Sequence, residues 1–170
     1  MNWLTSDEHY NHANIITKFV FRPFRNVEHM NAELIKRHNS RVKEGDLVFH
    51  LGDFKLTNNG PNKRELVRQL NGHHVFVVGN HDRKNGCNTP VKSIVMFLYK
   101  QAVLLTHKPE DAIELMPKLG IEKAFVGHVH EKWKFKKTEQ GLLVNIGVDV
   151  WDYYPVDAKQ IFKAIAREGL

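Results

Sequence analysis

Five apolar, β-forming runs in this chain are each followed directly by metal- or proton-handling side chains. Asp7 and His9 follow WLTS, Asp53 follows LVFHLG, and Asn80, His81 and Asp82 follow VFVVG. His107 follows AVLLT, and His128 and His130 follow AFVG. Polar groups at the end of a buried strand are costly unless they coordinate or hydrogen-bond something. Nitrogen and oxygen donors without a thiolate suit manganese, iron, nickel, zinc or cobalt. So many donors are too many for one ion. They fit two ions that share a carboxylate, roughly 3.5–4 Å apart as in two-metal hydrolases. Taken singly, each cluster reads more readily as turn chemistry, since Gly, Asn and Asp tolerate turn conformations. Their joint order behind five β-rich runs sets them apart.

The elements that must carry these residues can be traced along the chain. WLTS (3–6) is a first strand, and Asn26 caps a helix from about Val27 to Val42 with Met30, Leu34 and Ile35 on one face. LVFHL (47–51) is a second strand. A second helix opens at Asn59-Gly60-Pro61, carries Leu66, Val67 and Leu70, and ends at Gly72. VFVV (75–78), SIVMFLY (93–99), AVLLT (102–106) and AFVG (124–127) read as strands, with a short helix over about 110–119. KWKFKK and LLVNIGV flank turn residues 138–141 as a hairpin, and Asp157 caps a last helix ending near Arg167. Helices alternate with strands early and hairpins dominate late, which points to an α/β sandwich with mixed sheets. In open α/β sheets ligands bind at the carboxyl ends of the strands. The five clusters therefore converge on one site.

The ordered set SDEH, GD, GNHD, TH and GHVH, spanning residues 6–130, resembles the calcineurin-like metallophosphoesterase family in its small single-domain bacterial or phage form. YNHANII, FRPF and VNIGVDVWDYYPV also resemble segments of small members. The resemblance implies a four-layer αββα sandwich of two mixed β-sheets flanked by helices. It puts Asp7, His9, Asp53 and His130 around a first metal. Asp53 then bridges to a second metal completed by Asn80, His107 and His128. His81 is not a ligand in this scheme; it donates a proton to the leaving group or steadies the phosphate. The GD segment runs GDFKLTNNG without the DRG of the Ser/Thr protein phosphatases in the family, which argues against a protein substrate.

Charge counting supplies a reason for this ligand mixture. Two divalent ions bring four positive charges, Asp7 and Asp53 remove two, and a bridging hydroxide nucleophile removes one. About one positive charge is left for a phosphate oxyanion. Neutral histidines and an asparagine ligate without cancelling it. The expected activity is hydrolysis of a small, nucleotide-like phosphodiester, with manganese as the expected metal. A phosphomonoesterase and a nuclease are the enzymatic alternatives. A non-catalytic metal- or nucleic-acid-binding module is the remaining one, and retention of all seven ligands plus His81 weighs against it.

Outside that set, His12 lies close enough in sequence to His9 to line the site. Arg22 and Arg25 in FRPFR could grip a phosphate or base, the alternative being a solvated loop anchored by Phe21 and Phe24. His50 is expected to pack on the opposite side of its strand, and His73-His74 to lie in a turn. Asp82 is expected to orient or cap. In KWKFKK, Trp133 and Phe135 alternate with lysines, as on a strand whose aromatics face the core.

The bulk numbers agree with this outline. A chain of 170 residues, 42% hydrophobic and 26% charged, is an ordinary globular domain, taken as one unit over 1–170. The net charge of +6 favours anionic partners such as nucleotides or nucleic acid. One cysteine, no secretory signal pattern and no long apolar run suggest a cytoplasmic protein without a membrane span. Whether it acts as a monomer or a dimer is left open.

Overall fold

A computed structural model describes residues 1–57 and 59–170. In chain order its elements are β1 (Asn2–Thr5), α1 (Val27–Arg41), β2 (Leu47–His50), α2 (Lys63–Val67), β3 (His73–Phe76), β4 (Ser93–Leu98), β5 (Gln101–Thr106), α3 (Pro109–Leu119), β6 (Lys123–Val126), β7 (Phe135–Thr138), β8 (Gly141–Asn145), β9 (Val156–Asp157) and α4 (Ala158–Arg167). The strands form two sheets, ordered β3-β2-β1-β9 and β4-β5-β6-β8-β7. In the first, β1, β2 and β3 run parallel while β9 is antiparallel to β1. In the second, β5, β6 and β8 are parallel and both edges, β4 and β7, are antiparallel. Both sheets are therefore mixed, as expected.

Alternation along the strands decides the layers. Leu4, Phe49, Leu51 and Val77 on one sheet meet Leu105, Phe125 and Val144 on the other in the central core. On the outer side of the first sheet, Phe54 and Phe76 pack with Met30 and Leu34 of α1 and Leu66 of α2. On the outer side of the second, Leu104, Ala124 and Leu143 pack with Ala112 and Met116 of α3. The result is a helix–sheet–sheet–helix sandwich. The fourth helix departs from that scheme, because Ile161 and Ile165 join the core between the sheets.

Local chemistry sets the element ends. Asn26 accepts from the His29 N–H at the start of α1, and Asn62 and Glu65 form a reciprocal capping box on α2. That box starts α2 at Lys63, later than expected. After Val67 the chain tightens, with Gln69 and Leu70 donating three residues back to Leu66 and Val67. His73 and His74 are not in a turn. They begin β3, where parallel pairing with Leu47 and Val48 holds them extended.

His50 lies on the outer face of the first sheet, its Nδ1 2.7 Å from Glu8 Oε1 and its Nε2 2.9 Å from His74 Nδ1. The lysine–aromatic alternation also differs from expectation, because β7 begins only at Phe135. Phe135 turns to the core between the sheets, whereas Trp133 packs with the α3 cluster.

Candidate metal centre

The strand ends deliver their polar clusters to one cleft, and the backbone there is unusual. Asp7, His9, Asp53, His128 and His130 all have φ between 50° and 71°. Left-handed conformations in residues other than glycine cost of order 1–3 kcal/mol each and persist only where the surroundings dictate them. Here the dictating contacts are backbone hydrogen bonds between neighbouring loops. The Asp7 and His9 N–H groups donate to the Gly52 and Asp53 carbonyls, both at 3.1 Å. The buried Asp82 carboxylate accepts from the N–H groups of Asp53, Phe54 and Gly79, tying the loop after β2 to the loop after β3.

Close approach also explains two glycines. A Cβ on Gly79 would overlap the Asp53 carboxylate, and one on Gly127 would overlap Ser6 Oγ and Asp7 Oδ2.

Two groups of donors result. Asp7, His9 and His130 each offer one atom within 4.8 Å of the others, and so do Asp53, His107 and His128. Asp53 Oδ2 faces both groups: it lies 3.7 Å from His9 Nε2 and 3.4 Å from His107 Nε2. Asn80 Oδ1 sits 3.0 Å from His107 Nε2. His81 lies at the edge of the same cleft, its side chain half exposed and its Nε2 4.0 Å from Asp53 Oδ2. His12 lines the cleft with its Nδ1 3.2 Å from His9 Nδ1.

The ring nitrogens that face away from the cleft are held by acceptors. His107 Nδ1 donates to the Leu51 carbonyl at 2.7 Å, and His130 Nδ1 donates to Asp149 Oδ2 at 2.9 Å. Both rings therefore present Nε2 inward, the arrangement that outer acceptors impose on metal-binding histidines.

Electrostatics are strongly perturbed. Burial alone would lower His107, but Asp53 and Asp7 outweigh it and hold the imidazole up at about 9. Burial raises Asp7. His9 is held well below the usual imidazole range by burial and by Arg22.

Two buried atoms in the first group, Asp7 Oδ1 and His9 Nε2, have no hydrogen-bond partner. They are 4.0 Å apart. Leaving such a group unsatisfied costs about 1–3 kcal/mol. A divalent cation accepts both atoms at once, so the residues fit the metal that their types suggest.

Two arginine expectations need correction. Arg22 neither faces a phosphate nor lies in a solvated loop. It is 2% exposed, and its Nε and Nη2 donate to the two Asp149 carboxylate oxygens at 2.8 and 2.9 Å. Its remaining donors reach the carbonyls of Asp7 at 2.7 Å and Glu8 at 2.8 Å. Five donors in a rigid fork suit this buried clamp. Arg25 is exposed at the entry to α1 and does not line the cleft. Phe24 does anchor the loop, but Phe21 is exposed. Asp149 escaped the sequence reading altogether. Its one signal was the carboxylate in VNIGVDVW, a segment recognised but given no role.

Comparison with known proteins agrees with this geometry. Residues 4–152 match a calcineurin-like phosphoesterase superfamily domain. The chain is 38% identical over 171 residues to the uncharacterized protein MJ1445 of Methanocaldococcus jannaschii, covering 97% of this chain and 91% of that protein. It also superposes on the crystal structure of AQ665, a protein of unknown function from Aquifex aeolicus. That match has a TM-score of 0.73 at 25% identity, over 97% of this chain and 99% of that one.

Proposed function

Because the chain belongs to the calcineurin-like phosphoesterase superfamily and is a metal-dependent hydrolase of phosphoric esters, we propose that it cleaves small phosphodiesters with a nucleotide-like arm at a dinuclear centre. The observation that carries the reading is Asp53, whose Oδ2 stands between His9 Nε2 and His107 Nε2. Asp7, His9, His130 and Asp53 would hold one divalent ion, and Asp53, Asn80, His107 and His128 the other. When bound, two such ions activate water and neutralise charge on the phosphoryl group.

The chain's own residues supply the rest. Asp149 and the Leu51 carbonyl fix the rings of His130 and His107, so no reorganisation is needed when ligand arrives. Asn80 adds an oxygen donor without adding negative charge, which keeps the site attractive to phosphate. His81 faces the cleft and gives its proton to the departing ester oxygen. Water adds to phosphorus and releases one proton, the phosphorus–oxygen bond to the leaving group breaks, and that oxygen leaves as the alcohol with the His81 proton. The proton released from water restores His81 through solvent.

A diester is favoured because His9 is present and the chain carries a net charge of +6. Manganese is the expected ion. Among the described residues no helix is long and apolar enough to cross a membrane.

The test is a Mn²⁺ titration with bis(p-nitrophenyl) phosphate, beside p-nitrophenyl phosphate as the monoester. Turnover should rise with metal, favour the diester and collapse in Asp53→Asn. Absence of turnover in metal-loaded protein, or an indifferent Asp53→Asn variant, would refute the catalytic reading.

A further inference from the structure

The cleft is chemically lopsided, and the asymmetry bears on which phosphoester it takes. Its larger lobe, about 660 Å³, has His9, Asp53, His81 and His128 at its base. Its lining also includes an apolar set, Ile15, Phe19, Val20 and Leu56. A second lobe of about 550 Å³ opens beside Asn80 and His107 and is polar, carrying Arg83, Lys92 and Lys108 together with Asp111 and Glu114. His81 lies in the first lobe only. If His81 protonates the departing oxygen, the leaving group occupies the lobe with the apolar wall and the rest of the ester points toward the polar one.

The apolar wall is carried by a segment with an uncommon conformation. Residues Ile15–Phe19 form a π-helical turn, closed by the Val20 N–H donating to the Ile15 carbonyl at 3.3 Å. Such turns are rare and cluster at functional sites. This one buries Ile15 and Ile16 in the core under α1 and leaves Phe19 63% exposed. The fold gains nothing from that exposure. The Phe19 ring stands 5.8 Å from the His12 ring at the cleft wall, so two planar groups border the space where the leaving group departs. Asn14, Glu131 and Lys132 line the same lobe. They offer hydrogen-bonding groups that an alkyl chain would not use but that the edges of a heterocycle would.

Resting on the hydrolytic reading above, the geometry points to a nucleoside as the leaving group, its base set against Phe19. Base–aromatic stacking needs only a π-face and is sequence-tolerant. The wall therefore selects nucleosides as a class rather than one base.

Equilibrium titration of Mn²⁺-loaded protein with AMP and with ribose 5-phosphate isolates the base, since both ligands carry the same phosphate. AMP should bind roughly tenfold tighter or better, and Phe19→Ala should remove roughly that factor from AMP while leaving ribose 5-phosphate unchanged. Phe19→Trp should retain the AMP preference. Because Phe19 is exposed, these variants leave the core intact. Equal binding of the two ligands, an Ala variant that binds AMP like wild type, or binding of neither ligand overturns the nucleoside subsite, even where phosphodiester turnover is found. An AMP preference that depends on Phe19, in a protein that hydrolyses no phosphoester, supports the subsite and removes the hydrolytic reading instead.

Discussion

Replacing Asp149 separates holding the fold from holding a ligand. Its carboxylate is almost fully buried and carries three bonds, two from Arg22 and one from His130 Nδ1. Asp149→Ala leaves the buried Arg22 guanidinium without a counter-charge, a loss of about 3–5 kcal/mol. It also frees the His130 ring, and loss of such an outer acceptor weakens metal binding about 10- to 100-fold. Asp149→Asn divides the two effects. An amide oxygen at the Oδ2 position still accepts from Arg22 Nη2 and His130 Nδ1, while the amide nitrogen at Oδ1 no longer accepts from Arg22 Nε.

The neutral amide also leaves the Arg22 guanidinium without its counter-charge, so stability of the Asn variant should fall by about 3–5 kcal/mol as well, with metal affinity within tenfold of wild type. Urea unfolding of the metal-free protein reads the first quantity and calorimetric Mn²⁺ titration the second. If the Asn variant binds metal as poorly as the Ala variant, or the Ala variant binds like wild type, the positioning argument is wrong.

Three further outcomes are expected. Asn80→Asp adds a negative charge beside the phosphate position, so turnover should fall more than Mn²⁺ affinity does; unchanged turnover at full occupancy would sink the charge argument. Gly127→Ala forces a methyl group against Ser6 and Asp7 and should cost about 1–3 kcal/mol, seen as a lower urea midpoint; a wild-type midpoint would show that the loop yields freely. Acid should destabilise the fold through His38, which stacks beside His50 and His74 and is held down at about 4 by burial. The unfolded imidazole titrates near 6.5, so the unfolded chain binds the extra proton between those values. Stability is then lost as pH falls from about 6.5 to 4, about 3 kcal/mol from His38 alone. Urea midpoints across that range should drop less in His38→Leu, and an identical slope in both proteins would exclude this source.

The parts that sequence made legible share a physical cause. Strand cores are contiguous apolar runs, and the residues that follow them leave the sheet at a common edge, so the pattern of the chain alone places Asp7, Asp53, Asn80, His107 and His128 together. A sandwich of mixed sheets follows from helices alternating with strands early and hairpins late, whereas the number of sheets and the outer helices are implied by the family resemblance. What stayed hidden depends on partners distant along the chain. Arg22 sits in a loop of charged and aromatic residues that looks solvated. Only Asp149, 127 positions later, turns it into a buried clamp. His73-His74 follow a glycine and resemble a turn until the β2 register holds them extended. The lysine–aromatic alternation of KWKFKK failed because strand pairing starts in its middle, and a period-two rule holds only inside a strand.

Metal stoichiometry and turnover measured on one preparation test the central claim most directly. Protein freed of metal and titrated with Mn²⁺ should bind two ions per chain, with hydrolysis of bis(p-nitrophenyl) phosphate rising only as the second site fills. In Asp53→Asn, affinity at both sites should weaken together. Full activity with a single ion bound, or an Asp53→Asn protein that keeps two tight ions and normal turnover, would contradict a shared carboxylate at the heart of the site.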